Sequence, residues 1–352
     1  MRFTRFLPLI VFLAACSSET TAPGSRSTND IPEDDIPKDD GTDVEVLRQI
    51  PDSWDVVLLP EGLEGRLINS HGLVAGRRDG KNVLYDHRNG REWQLPDGQM
   101  IAVNDRDQVL INHEDRTYLW SKAGTLDLGS LNSGPTSAVD LNNTGHVAGM
   151  SGGTPFLWTP ERGMRPLKGR GSPSAIIAMN GKDQIVGAVW SGGIGMIVVW
   201  SSNGSTRTVS EAGEVPCPPP FPSTTTNCGL GILGLDNRGV IGGIIGQSQS
   251  DSPDNTAGFV ISRKGELEAF HGVGSPTIPT GYTDSGIMPM LSYSSTTPSV
   301  RLPDGRIRPL FHELSGQAYA LAASFDGHIL GFGNTFTELG FRFSVLVPRT
   351  AR

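Results

Sequence analysis

The sequence predicts an all-β fold, a seven-bladed β-propeller with four antiparallel strands per blade. Three observations predict it. First, an apolar residue followed by a small polar one recurs seven times: Ile68-Asn69, Val103-Asn104, Leu141-Asn142, Met179-Asn180, Leu235-Asp236, Tyr282-Thr283 and Ala323-Ser324. The spacings are 35, 38, 38, 56, 47 and 41 residues, and a period near forty with four short strands per unit marks a propeller blade. Second, every repeat has the same turn chemistry. Three residues after the pair stand Gly72, Asp107, Gly145, Asp183, Gly239, Gly286 and Gly327, residue types that tolerate positive φ. Third, the seventh repeat ends before its fourth strand, and Trp54–Leu59 (WDVVLL) ahead of the first repeat supplies a spare. If that strand completes blade seven it closes the ring and removes an exposed edge; otherwise it is an ordinary leading strand.

Residues 137–167, SAVDLNNTGHVAGMSGGTPFLWTPERGMRPL, show the unit most clearly. Four short apolar runs are each closed by Gly, Asn, Pro or Asp, which reads as four strands. The first run ends at Leu141-Asn142, where the Asn side chain can bond its own backbone two residues on. The second ends at Gly149. Gly recurs at that place at Gly76, Gly187, Gly243 and Gly331, and Gly inside a strand marks close backbone approach. The third run is Leu119-Trp120, Leu157-Trp158 and Val199-Trp200 in three repeats, and these tryptophans are expected between blades. One such sheet cannot bury its own face, so the blades must stack around an axis.

Ahead of the repeats, residues 1–16 (MRFTRFLPLIVFLAAC) place Arg2 and Arg5 before a short apolar run. This reads as a signal peptide, too short for a spanning helix. Leu13-Ala14-Ala15-Cys16 resembles a bacterial lipobox, which would make Cys16 the lipidated first residue of an exported lipoprotein anchored at a membrane; a plain secretory signal is the other reading. Ser17-Ser18 resembles an outer-membrane sorting signal. Residues 17–52 carry ten acids and three bases and almost no large apolar residues before Val44. They read as a disordered acidic tether leading into the propeller at 53–349. The chain as a whole is −8, so residues 53–352 come to about −3. With no basic block, nucleic acid is not a predicted partner.

Cys217 and Cys228 remain once Cys16 is assigned to lipid. An even pair in an exported chain reads as a disulfide, closing the Pro-rich insertion where the spacing swells to 56; a metal site would need ligands that are not nearby. Links between blades, and between second and third strands, share one face of a propeller. Here they are the long loops, at 168–174, 190–195, 210–229, 246–256, 271–279 and 333–341, and function gathers where insertions are. His113, Trp190, His271 and His312 fall on that face and are the candidate binding residues. His71, His146 and His328 fall in the repeated turns, where exposed positions and a structural role are expected.

No HExxH, G-x-S-x-G, Walker loop or dinucleotide fingerprint is present, so no catalytic residue, cofactor or metal ligand is assigned. Asp140, Asp236 and Asp284 are the acids nearest the ends of inner strands, and turn roles account for them. The units resemble the HAF family of bacterial extracellular repeats. Repeat three carries its whole pattern: Leu141-Asn142, Gly145, Val147, Gly149, Phe156-Leu157-Trp158, Gly163-Met164 and Leu167. The resemblance implies a propeller-like surface or secreted protein and carries no general activity. The sequence thus favours a surface-anchored binding or scaffold module for an envelope protein or glycan. The alternatives are a hydrolase or lyase with its site at the channel mouth, and a purely structural envelope component.

Overall fold

In the computed structural model, the third repeat folds in the order its turns dictate. Thr136–Leu141 passes through the Asn142–Gly145 turn into Val147–Ser151, then Thr154–Thr159, then Gly163–Pro166, all antiparallel. The register runs from Leu141 opposite Val147 to Thr136 opposite Ser151. Six further sheets of the same kind complete a seven-bladed β-propeller. The structure describes residues 53–349 except 169–171, 192–193, 203–204, 212–213, 219–226, 248–255, 272–276, 293–297, 311–314, 325 and 335–341. No helix occurs among them. The expected turn residue has positive φ in all seven repeats, from 58° at Asp107 to 94° at Gly327.

The ring is closed by the N-terminal strand. Trp54–Leu58 lies antiparallel to Arg342–Pro348, with Trp54 opposite Pro348 and Leu58 opposite Ser344. Leu59 N–H continues the ladder to Phe343 O at 2.9 Å. The Trp54 indole is buried and donates to Gly327 O at 2.8 Å. Two chain ends nearly 300 residues apart thus make one outer edge.

The core is not single. Among the described residues it divides into seven clusters, one at each joint between neighbouring blades. Trp120, Trp158 and Trp200 lie buried in the joints their blades make with the preceding blade. The largest cluster, between blades 4 and 5, holds twelve buried apolar residues, and the smallest, between blades 5 and 6, holds Val260, Met288 and Met290.

The recurring strand glycines have a shared cause. Six of the seven innermost strands, all but that of blade 6, carry a β-bulge at one equivalent place, between Gly65 and Leu67, Met100 and Ala102, Ala138 and Asp140, Ile176 and Ala178, Ile232 and Gly234, and Ala320 and Ala322. A bulge leaves two residues opposite one and crowds the partner strand there. Gly149 and Gly243 sit at that point, and a Cβ on either would overlap the carbonyl oxygen of Ser137 or Gly231.

Blade 5 departs from four strands. A fifth, Glu214–Pro216, pairs with the start of Asn227–Leu235 on its axial side. Cys217 and Cys228 form a disulfide with Cα atoms 5.1 Å apart, and Cys228 is fully buried in the blade 4–5 joint. The disulfide expected across the insertion is present, and its described ends, Glu214–Pro216 and residues 227–229, pair as antiparallel strands. The turns between first and second strands lie on one face of the ring, the turn face; the opposite face carries the long loops.

Candidate functional site

The turn face is built by one side chain used twice. Asn142 Oδ1 accepts the N–H groups of Thr144 and His146 at 3.1 and 3.0 Å, fixing its own turn. Its Nδ2 donates to Asn180 O of the next blade at 3.1 Å. Asn69, Asn104 and Asn180 do the same, reaching Asn104 O, Asn142 O and Asp236 O at 2.9, 3.0 and 2.8 Å. All four asparagines are buried, where an unpaired amide would be costly. The chain of clamps runs from blade 1 to blade 5 and stops at Asp236, whose side chain lacks the amide N–H that the asparagines donate.

The turn histidines join this scaffold. His71 Nδ1 lies 3.0 Å from Asp107 Oδ1, and His146 Nδ1 lies 2.8 Å from Asp183 Oδ1, each pair linking neighbouring blades. His328 is buried and pairs with Asp326 inside its own turn. Burial pushes the Asp326 carboxyl up, but its bonds to His328 and Ser324 outweigh this and hold it below the usual range.

Inside the ring the innermost strands enclose an axial cavity of about 510 Å³. The bulge positions supply a collar of half-buried aliphatic residues: Ile101, Val139, Ile177, Leu233 and Leu321. Blade 1 places Arg66 there and blade 6 places Gly281. Toward the turn face the lining becomes acidic, with Asp105, Asp140 and Asp284. Asp140 accepts from Leu141 N–H and Met179 N–H, both at 2.8 Å. Burial nevertheless pushes its carboxyl up to about 6. Asp284 is raised well above the usual carboxylate range, first by burial and then by the charges of Asp140, Asp236 and Asp105. Asp236 has the turn role expected of it: fully buried, it accepts from Arg238 N–H and Val240 N–H, both at 2.9 Å. Among the described residues, no group of three or more His, Cys, Asp or Glu is placed to hold a metal ion.

The long-loop face carries the candidate residues singled out in the sequence. His113 ends the second strand of blade 2 (Val109–His113) and is exposed. Trp190 lies near the end of the second strand of blade 4 (Ile185–Ser191), 37% exposed, with Gly195 directly opposite it. A Cβ on Gly195 would lie 3.6 Å from the indole carbons, so the ring rests over that glycine. His271 follows the fourth strand of blade 5 (Leu267–Phe270) and is half-buried. Burial lowers its pKa, and its Nδ1 has no hydrogen-bond partner among the described residues. His312 lies outside the described residues. The three that are described belong to blades 2, 4 and 5, and no hydrogen bond joins any two of them.

The same ring is found in solved structures. The chain is similar to a streptogramin B lyase structure (13% identity, TM-score 0.51, covering 84% of this chain and 97% of that one). It is equally similar to virginiamycin B lyase from Staphylococcus aureus (12% identity, TM-score 0.51, covering 83% and 97%). A catalytically inactive form of that lyase with quinupristin gives 12% identity, a TM-score of 0.50 and coverage of 83% and 98%. Likeness at this identity shows the propeller fold alone. No protein-family model and no curated protein matches this chain.

Two parts of the site could not be read from the sequence. The collar needs the bulge to be known before its five aliphatics can be separated from core residues; the recurring glycine was its visible trace. At the blade 5–6 joint, Tyr282 donates from its hydroxyl to Asp236 Oδ2 at 3.0 Å, while Arg238 binds the same oxygen at 2.7 Å. These residues lie up to 46 positions apart in sequence.

Proposed function

We propose that this chain is a lipid-anchored propeller, held at a bacterial membrane through Cys16, that binds an envelope protein or glycan on its long-loop face at blades 4 and 5. The observation that carries this reading is Trp190. A large aromatic ring left in solvent and laid flat over a glycine offers a rigid apolar face with one polar edge, the form that dominates many recognition surfaces. Blades 4 and 5 also stand proud of their neighbours. The second strand of blade 4 has seven residues where that of blade 3 has five, an extension of roughly 7 Å at ~3.3 Å per residue. Beside it the Cys217–Cys228 disulfide joins the two described ends of the blade 5 insertion. The tether expected over residues 17–52 would set the ring off from the membrane.

The test compares the lipidated protein with Trp190→Ala in crosslinking and glycan-binding assays against the source envelope. Retention of a defined protein or glycan, weakened at least tenfold in the variant, supports the reading. Equal retention by both forms moves the binding surface elsewhere, and no retention by either removes the binding role.

A second reading rests on Asp140. A carboxyl with a pKa near 6 beside a cavity can serve as general acid or base close to neutrality. A hydrolase or lyase at the channel mouth would lose turnover in Asp140→Asn while keeping its fold.

A further inference from the structure

The axial cavity lies apart from Trp190, so a ligand held there is independent of the long-loop reading. Its collar is unusual within this molecule. Ile101, Val139 and Ile177 pack in part against the blade-joint clusters, yet with Leu233 and Leu321 they remain partly open and line one lumen. A bulge re-aims a side chain, and here the bulge positions of blades 2, 3, 4, 5 and 7 serve the same ring. The result is a concave apolar band whose exposed area a ligand would cover, in a cavity whose volume falls within the range of small-molecule sites.

Charge sets the rest. Asp140 directly follows the collar residue Val139, and Asp105 and Asp284 lie four and three residues beyond the lining residues Ile101 of blade 2 and Gly281 of blade 6. At ~3.3 Å per residue, the acids lie within roughly 13 Å of the collar toward the turn face. Arg66, the one cation of the lining among the described residues, stands at the level of the collar. Three carboxyls and one guanidinium line the cavity, with the carboxyls gathered toward the turn-face mouth as acceptors for a cationic donor. Each carboxylate has up to four acceptor sites, and Asp140 uses two of them on backbone N–H groups.

We propose that the channel binds a linear alkylammonium amphiphile, entered tail first from the turn face, with its chain against the aliphatic collar and its ammonium among Asp105, Asp140 and Asp284. The position of the acids, toward the turn face from the collar, sets this orientation. A lysine side chain of a protein partner would bring its charge in first and its backbone last, the reverse of the order the cavity presents. An anionic amphiphile of the same length meets the acids at the mouth.

Isothermal titration tests this on the full-length protein carrying Cys16→Ser, so that no detergent competes. The probes are n-octylammonium, with n-octanoate and 1-octanol as controls of equal length. The expected result is one site for octylammonium, at least tenfold tighter than octanoate. Asp140→Asn and Asp284→Asn, near-isosteric changes, should each weaken octylammonium about fivefold while leaving 1-octanol within twofold. Leu233→Asn should weaken both, and Trp190→Ala neither. The proposal is overturned if octylammonium shows no stoichiometric site, if octanoate binds as well, or if both Asp variants bind octylammonium as the parent does. The wild-type comparison of the three probes decides the matter even where a variant fails to fold.

Discussion

The joints on the two sides of blade 5 are held by different chemistries. Between blades 4 and 5, twelve buried apolar residues pack together and Asn180 clamps Asp236 O at 2.8 Å. Between blades 5 and 6 only Val260, Met288 and Met290 form the buried apolar cluster among the described residues. Half-buried Val240, Phe270, Tyr282 and Ile307 pack against it, and a polar network joins them. Asp236, fully buried, binds Arg238 Nε at 3.0 Å and Nη2 at 2.7 Å and accepts from the Tyr282 hydroxyl at 3.0 Å. Arg238 Nη1 reaches on to Pro303 O in blade 6 at 3.0 Å. Arg301 lies 4.6 Å over the Phe270 ring. Apolar packing weakens in proportion to the atoms removed. A buried ionic network fails more abruptly, because deleting one member leaves another charge buried and unpaired.

The sharpest way to break this comparison is Arg238→Met. It keeps the aliphatic stem and leaves Asp236 uncompensated, and should destabilise the fold by about 3–5 kcal/mol. The triple change Asp236→Asn, Arg238→Met, Tyr282→Phe removes the buried charges together while keeping an acceptor for the turn, and should recover most of that loss. Urea midpoints at constant m-value measure both. A triple variant as unstable as the single would refute the network account. On the other side of blade 5, Leu235→Ala should lower stability by about 2–4 kcal/mol through lost burial and the cavity it leaves. No second substitution in a polar group should rescue it.

The clamp series gives the next effect. Asn142→Ala removes the donor to Asn180 O and Asp183 and the acceptor of two turn N–H groups, a loss of about 2 kcal/mol. Thr283 occupies the same place in blade 6. Its hydroxyl accepts one turn N–H, from Ile287 at 3.0 Å, and bonds Ser285 at 2.9 Å, both within its own turn. Thr283→Ala should therefore cost less than half as much by thermal unfolding. Equal losses would mean that the inter-blade bond contributes nothing.

These residues also show what could be read in advance. The Asn of the repeat was visible because its turn is local: the bonds from Asn142 to Thr144 and His146 span two and four residues. That the same amide ties one blade to the next was not visible, since its partner lies 38 residues on. Repeat six carries Tyr282-Thr283 where the first four repeats carry an aliphatic residue or Met followed by Asn. In the fold that departure is a substitution of mechanism. Tyr282 lies so close to blade 5 that a Cβ on Gly242 would sit 2.6 Å from its ring, which brings its hydroxyl to Asp236. The spare strand Trp54–Leu59 was legible because a count of strands exposed it. The collar was not, because Val139 and its equivalents differ from core residues only through a pairing shift that sequence alternation does not reveal.

A third kind of polar joint, between blades 3 and 4, responds to pH. Asp140 bonds Met179 N–H across that joint, and its carboxyl is pushed up to about 6 against about 3.9 in an unfolded chain. Between those values the folded state holds the extra proton, so this group's contribution to stability falls as pH rises from about 4 to about 6. Asp140→Asn does not titrate. Relative to the parent it should gain about 1–2 kcal/mol between pH 4 and pH 7, less than the full shift because the group borders an open channel. Denaturation at pH 4, 5, 6 and 7 gives the difference directly; a constant offset would show that Asp140 titrates at its ordinary value.

The smallest effect on stability belongs to the long-loop face, and its smallness is the point. Trp190 is 37% exposed and rests over Gly195 outside any buried cluster of the joints. Trp190→Ala should change the unfolding free energy by no more than about 0.5 kcal/mol, as surface substitutions do, whereas Trp200→Ala, buried at the blade 3–4 joint, should lose about 3–5 kcal/mol. Two tryptophans ten residues apart in one blade would then differ several-fold in what the fold requires of them. Differential scanning calorimetry of the two variants measures that ratio. A loss for Trp190→Ala approaching that of Trp200→Ala would make the exposed ring a structural element and remove the observation on which the binding surface rests. A near-neutral result leaves the indole free for a partner.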